Sequence, residues 1–357
     1  MIGLEDNNRS VTTIGLSNNS IVSYSTFLGE RTFSKLFTDN QVNLANTVGN
    51  GLMKGKKKTR ARKIISNWLT CSGKRSLDQL GIKDIKPNNH TFVTLTLPSA
   101  QMHSDKEIKR QLLTPFVQRM TQANLMSHYY WRAEAQANGN IHFHFILDGF
   151  VAWQELRRLW NIQLKKLGYV DVYQLNMKEF HKDGFRVRYD LISSWSLDSQ
   201  FIAYKDGLKS DFTNPNSVDI HSFKDIDNVS AYVIKYMSKD STGRLIQGRI
   251  HGYSDGLQLL DCYREFEDKN VRELLEVVRK DKSIKEILLE KCVVYYGNIV
   301  AIMKKYELKI FDNYKQHIVN NSLRLKGLFV DVVNDVINKA SAVSPAYKLV
   351  RQLDLFQ

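Results

Sequence analysis

Residues 133–147 read AEAQANGNIHFHFIL, and their alternation decides the fold class. Ile141, Phe143, Phe145 and Leu147 recur at every second position, the period of a strand with one buried face. The preceding SHYYWRAEAQ (127–136) reads as a second strand, and Asn138-Gly139-Asn140 between them is a hairpin signal. The chain is therefore expected to build an antiparallel sheet. In that strand His142 and His144 share the face opposite the apolar residues.

With a three-residue loop, Asn138 to Asn140, Gln136 lies opposite His142 and Glu134 opposite His144. Two imidazoles and a carboxylate then converge on one side of the hairpin. That is a mixed N/O set with open positions, suited to Mn²⁺ or Mg²⁺ rather than to structural zinc, which takes four closed ligands. Gln136 has the same parity and is the reserve ligand. A lone His-x-His equally describes two structural histidines, and both readings stand at this point.

Working outward, HTFVTLTLP (90–98) alternates as a half-buried strand. SDKEIKRQLLTPFVQRM (104–120) opens with a capping box, Ser104 and Glu107, and reads as a helix that Pro115 bends. WQELRRLWNIQLKKLG (153–168) is an amphipathic helix stopped by Gly168. YVDVYQLN (169–176) and FRVRYDL (185–191) read as strands. SVDIHSF (217–223) reads as a strand, and NVSAYVIKYMSK (228–239) as a helix capped by Asn228. Strands and helices so mixed predict an α+β fold, an antiparallel sheet with packed helices. From residue 256 the spacing reads as mainly helical, without internal repeats. The expected organisation is a weakly structured basic extension over 1–60, an α+β domain over 61–255, a helical accessory region over 256–345, and a tail over 346–357.

The 357 residues carry 51 Lys and Arg against 37 Asp and Glu, a net charge of +14 that favours a polyanionic partner. In KGKKKTRARK (54–63), Lys56, Lys57, Lys58 and Arg60 are candidates for phosphate-backbone contact, the alternative being a solvated segment. GNGLMKGKK lacks the spacing and the Ser or Thr of a phosphate loop, so no built-in helicase motor is expected. Three scattered cysteines fit a reducing cytosol. No secretory signal and no membrane span is expected, which points to the cytoplasm of a bacterial host cell. Tyr129, Tyr130, Trp131, Trp153 and Trp160 are either a stacking platform for single strands or core.

In AYVIKYMSKD, Tyr232 and Tyr236 are four residues apart, and Lys235 and Lys239 follow each by three. Tyrosines at that spacing share a helix face and are more often packing than chemistry. The order of these parts changes the reading. A strand-borne His-apolar-His after TFVTLTLP, followed by Tyr-x-x-x-Tyr-x-x-Lys, resembles the HUH rolling-circle replication initiators. The two-tyrosine kind found in microvirus-type phages and their bacterial relatives is the nearest form, and the resemblance covers about residues 85–255. Relaxases of that superfamily place the tyrosine before the histidines, an order this chain lacks.

The resemblance implies an RRM-like antiparallel sheet. It implies His142, His144 and Glu134 as ligands of Mg²⁺ or Mn²⁺, Tyr232 and Tyr236 as nucleophiles, and Lys235 and Lys239 as accompanying cations. The implied activity is a metal-dependent DNA nickase and strand transferase acting on single-stranded origin DNA. Two other readings remain: a two-tyrosine transposase with the same chemistry, and a non-enzymatic RRM-like nucleic-acid binder. Host helicase and replicase would be partners of a motor-less initiator. Finally, Gln352-Leu353-Asp354-Leu355-Phe356 resembles the peptide by which bacterial polymerases dock on the sliding clamp (β-clamp). Gln352, Leu353, Leu355 and Phe356 are its candidate clamp contacts.

Overall fold

Residues 10–27, 55–222, 244–289 and 292–327 are described in the computed structural model of the chain. It opens on a hairpin, β1 (Ser10–Ser17) and β2 (Ser20–Phe27), turned through Asn18-Asn19. This corrects the expectation of weak structure before residue 60. The β-branched runs around Ile14 and Ile21 suit a pleated surface, and the Asn-Asn pair between them was the available turn signal. The basic run is also helical rather than an unstructured tail: Lys56, Lys57, Lys58 and Arg60 stand at the start of α1 (Gly55–Ser72). Farther along that helix Ile64, Ile65, Trp68 and Leu69 are buried, spaced as one helix face. The short α2 (Lys74–Leu80) ends at Gly81, whose φ of +65° is a conformation glycine adopts without strain.

After β3 (Thr91–Leu95), helix α3 runs over residues 105–122. The capping box of Ser104 and Glu107 forms as the sequence predicts. Pro115 acts through a widened turn: Lys109–Leu113 is π-helical immediately before it. Proline has no N–H to donate, and a π turn absorbs the missing bond, with Thr114 Oγ1 donating to the Lys109 carbonyl at 3.0 Å. The hairpin strands are β4 (Tyr129–Ala135) and β5 (Ile141–Leu147). Then come α4 (Trp153–Lys166) and α5 (Tyr169–Phe180), joined through Gly168.

Helix α5 replaces the strand expected at 169–176. Alternating Val170 and Val172 suggested a strand, but Tyr169 and Val170 are both buried, which a single strand face cannot arrange. No strand forms at 185–191 either, where only a 3-10 turn, Tyr189–Leu191, is present. The chain continues through α6 (Leu197–Lys209), β6 (Val218–Ser222) and β7 (His251–Tyr253).

Beyond residue 256 the expected helical region is a mixture. It contains β8 (Tyr263–Phe266), α7 (Lys269–Lys280), β9 (Lys285–Leu289), β10 (Cys292–Tyr296), α8 (Ile299–Lys305) and α9 (Ile310–Leu325). Short apolar runs such as EILL and CVVYY fit either period. Strand β10 is settled by its pairing with β2, some 270 residues earlier in the chain.

The chain divides into two compact units. The first joins the N-terminal hairpin to Lys63–Asn88 and to the chain from Asp255; the second comprises Ala45–Arg62 and Asn89–Ser254. These limits differ from boundaries at 60 and 255. The difference arises because residues 63–88 bond within the first unit: Asn67 Nδ2 donates to the Leu260 carbonyl and Asn18 Nδ2 to Ser76 Oγ.

Each unit holds a five-stranded antiparallel sheet. The first has strand order β8-β1-β2-β10-β9, the second β6-β3-β5-β4-β7. The fold is thus α+β, consistent with an HUH-like arrangement. In the second unit one sheet face, with Val93, Leu95, Phe143, Phe145 and Trp131, packs against α3 and α4 through Leu112, Phe116 and Trp160. Trp160, Tyr130 and Trp131 are buried, so the aromatic platform falls to core for those three, while Trp153 is exposed beneath the Arg157 guanidinium. That apolar face holds the sheet rigid and leaves the opposite face for polar side chains.

Candidate metal centre

The β4–β5 turn forms one residue earlier than expected. The Gln136 amide donates to the Asn140 carbonyl and the Gly139 amide to the Gln136 carbonyl, so Ala137–Gly139 make the loop. Gly139 adopts φ +85°, where a Cβ would be strained. Pairing then sets Glu134 opposite His142 and Arg132 opposite His144, correcting the expected partner of each histidine. A shift of two residues preserves parity, so the carboxylate still lies on the histidine face. Glu134 now meets His142 directly and His144 diagonally.

Glu134 Oε2 lies 3.3 Å from His144 Nε2 and 3.8 Å from His142 Nε2, the second beyond hydrogen-bonding range. The imidazole centroids are 4.4 Å apart. One ligand atom from each residue falls within 4.8 Å of the others, and among the described residues this is the one His/Cys/Asp/Glu group so arranged. An ion with bonds of about 2.1 Å joins atoms up to about 4.2 Å apart, so a shift of a few tenths of an ångström closes the set. Gln136 stands at the hairpin mouth, two residues along from Glu134 on the same parity.

Burial tests whether the set fits a cation. Both ring nitrogens of His142 are buried and find no hydrogen-bond partner among the described residues. An unsatisfied buried nitrogen is costly, and a metal on Nε2 would satisfy it. His144 is already oriented: its Nδ1 meets Thr94 Oγ1 at 3.1 Å and its ring stacks on Phe92. If Nδ1 carries the proton and donates to Thr94, the Nε2 lone pair points toward Glu134, the orientation a ligating histidine needs. Burial lowers the pKa of His144, and Glu134 opposes that only in part, so the ring favours the neutral, ligating form. Burial pushes the Glu134 carboxyl up, but the two imidazoles more than reverse it and hold it well below the usual carboxylate range. Two neutral nitrogens and one anionic oxygen leave positions open for substrate oxygens.

A second network, not foreseen from sequence, fixes the turn that carries these ligands. Buried Asn140 takes the Gln101 amide on its Oδ1 and donates from Nδ2 to the Ser99 carbonyl. Gln101 Oε1 accepts the Ile141 amide at 2.7 Å. Arg244 clamps the assembly: its guanidinium makes two 2.7 Å bonds to buried Asp105, and Nε donates to the Gly139 carbonyl at 2.6 Å. Burial raises the Asp105 pKa, yet hydrogen bonds from Arg244, Gln101 and the Gln247 amide outweigh it and lower the carboxyl to about 2. No spacing rule links positions 101, 105, 140 and 244, so only folding could reveal them.

Arg244→Met strands the Asp105 charge. An uncompensated buried charge costs about 3–5 kcal/mol, and about 2 kcal/mol here because Arg244 is partly exposed. The expected result is a melting temperature several degrees lower and weaker Mn²⁺ affinity by titration calorimetry. Adding Asp105→Asn should restore part of both; a double variant no better than the single one refutes the clamp. The folded pKa of Asp105 lies below its ordinary 3.8, so its contribution is complete above about pH 5 and fades as pH falls toward 2.

Tyr232, Tyr236, Lys235 and Lys239 lie outside the described residues, as do Gln352, Leu353, Leu355 and Phe356. The backbone of Lys56, Lys57, Lys58 and Arg60 is described, but their side chains are not. No helix among the described residues is long and apolar enough to cross a membrane. No curated protein and no solved structure matches the chain. A family model does: residues 90–241, which span β3, the whole β4–β5 hairpin and all three candidate ligands, match the family of the replication-associated protein ORF2, as fits a rolling-circle replication initiator.

Proposed function

We propose that this chain is a site-specific single-stranded DNA nickase and strand transferase that initiates rolling-circle replication. The observation that carries the reading is the Glu134–His142–His144 group, built on a rigid hairpin inside the residues that match a replication family. Glu134, His142 and His144 would hold Mg²⁺ or Mn²⁺, with Gln136 in reserve. Such a cation, when bound, neutralises charge on the scissile phosphate and on the departing 3′ oxygen.

The protein's own part is nucleophilic. A hydroxyl of Tyr232 or Tyr236 loses its proton and attacks phosphorus, forming an O–P bond as the P–O3′ bond breaks. The leaving 3′ oxygen takes a proton and becomes the primer hydroxyl. One phosphodiester is exchanged for another, so no ATP is consumed and the step runs backward on rejoining. Phenols are weak nucleophiles at neutral pH, and Lys235 and Lys239 would favour the phenolate. Two tyrosines let one cut the regenerated origin while the other still holds DNA. The basic start of α1, with Lys56, Lys57, Lys58 and Arg60, would supply part of the phosphate affinity. Incubating the protein with single-stranded origin DNA and Mn²⁺, then mapping the DNA-modified residue by mass spectrometry, tests the reading. An adduct on Tyr232 or Tyr236 supports it; no adduct under conditions where DNA binds overturns it.

The motor-less sequence implies that host helicase and replicase extend the exposed 3′-OH. Residues 352–356, QLDLF, are proposed to dock on the β-clamp, Leu355 and Phe356 entering an apolar pocket beside the Gln352 amide. Deleting residues 352–357 should abolish capture by purified β-clamp while nicking in vitro continues. A truncated protein captured as well as the full chain sinks the assignment.

A further inference from the structure

Helix α6 is inverted with respect to solvent. Its one buried residue is a glutamine, Gln200, whereas Leu197, Phe201, Ile202 and Leu208 are all exposed. Leu197, Phe201 and Leu208 lie at i, i+4 and i+11, one stripe of the helix. The chain leading into α6 repeats the inversion: Tyr189 is 77% exposed, Ile192 47% and Trp195 38%. Exposed apolar residues concentrated in this way are rare in a monomer and mark contact surfaces.

The inversion is built rather than loose. Gln200 is a polar hub: its Oε1 accepts the Arg188 amide at 2.7 Å, and its Nε2 donates to the Arg188 and Trp195 carbonyls. On the far side of α6, His181 stacks against Phe212 and Tyr204, and Gln174 and Lys178 bind Asp211. The segment therefore presents its apolar side chains preorganised, which lowers the entropic cost of binding.

Charge decides the occupant. Residues 169–213 hold six Lys and Arg against seven Asp and Glu, while the rest of the chain has 45 against 30, a net +15. Four of the six cations are paired within the segment: Lys178 with Asp211, Lys182 with Glu179, Arg188 with Asp190 and Lys209 with Asp206. The other two lie over rings, Arg186 on Phe180 and Lys205 on Phe201. A near-neutral face with its cations engaged offers a polyanion little, so nucleic acid is disfavoured here. It is also the face on which two chains of charge +14 repel each other least. The exposed parts of its apolar side chains, Leu175 included, amount to roughly 800 Å², about one partner's share of a standard interface.

The geometry points to a second copy of this chain as the occupant: two protomers pair through the α6 face in an isologous contact. This stands apart from the proposed nicking chemistry, since none of these residues belongs to the metal centre. Sedimentation equilibrium of the full chain should give a dimer that dissociates on dilution. Ile202→Asp with Leu208→Asp should weaken it at least tenfold, and the melting temperature of the dissociated protein should be unchanged, because both side chains are more than half exposed. A wild-type chain that stays monomeric at tens of micromolar overturns the proposal, as does a dimer the double change leaves intact. Should the variant fold poorly, hydrogen exchange of the wild-type protein at low and high concentration decides. Protection of residues 189–208 that rises with concentration supports the dimer. Protection that appears only with an added single-stranded oligonucleotide overturns it.

Discussion

Changing His142 and His144 together to alanine should abolish metal-dependent cleavage of single-stranded origin DNA. The expected loss is about 10³-fold or more, since Lewis-acid stabilisation is worth several kcal/mol and each 1.36 kcal/mol is tenfold. Binding to the same DNA should survive, because affinity for a polyanion comes from the basic surface rather than from two neutral imidazoles. A thermal readout separates metal loss from misfolding. Mn²⁺ should raise the melting temperature of the wild-type protein by mass action and leave that of the variant unmoved. Glu134→Ala should weaken the metal more than Gln136→Ala, because the carboxylate is the group within reach of both rings. A double histidine variant that still nicks with divalent metal refutes the metal assignment, and the reverse order for Glu134 and Gln136 reassigns the third ligand.

The second large effect concerns the tyrosines. Tyr232→Phe with Tyr236→Phe should leave no covalent protein–DNA adduct, since phenylalanine keeps the ring and removes the attacking oxygen. Either change alone should leave nicking partly intact, because the remaining hydroxyl can attack. Circle closure should fail in both single variants, as a second cut is needed while the first tyrosine holds DNA. The measurement is a denaturing gel of labelled DNA for the adduct and a ligation product assay for closure. An adduct that persists in the double variant moves the nucleophile elsewhere. Metal affinity should not change in any of the three, which distinguishes this failure from that of the histidines.

The candidate site was readable because its parts are local. His142 and His144 occupy one strand and Glu134 the next, and the parity of a hairpin survives an error in its turn. The loop formed over Ala137–Gly139 rather than Asn138–Asn140, and the carboxylate still reached the imidazoles. The capping box at Ser104 and the stop at Gly168 were legible for the same reason, being bonds and dihedrals within a few residues.

Errors arose wherever a segment's period was ambiguous. Residues 169–176 alternate well enough for a strand, yet the Tyr169 hydroxyl takes the Met102 and His103 amides and both Tyr169 and Val170 are buried, which favours a helix. Residues 285–296 fit a helix until β2 supplies a partner from the far end of the chain.

By itself the sequence determined the α+β class, the antiparallel hairpin and the chemical type of its ligands, because period and residue type act over a few residues. Only the tertiary structure decided that residues 63–88 fold with the N-terminal hairpin. The same holds for Thr94 behind His144, for Arg244 and Asp105 locking the metal-bearing turn, and for Gln200 buried while Phe201 and Ile202 stay outside. The Arg244–Asp105 clamp joins residues 139 positions apart, and the energies of such contacts depend on burial, which no local pattern encodes.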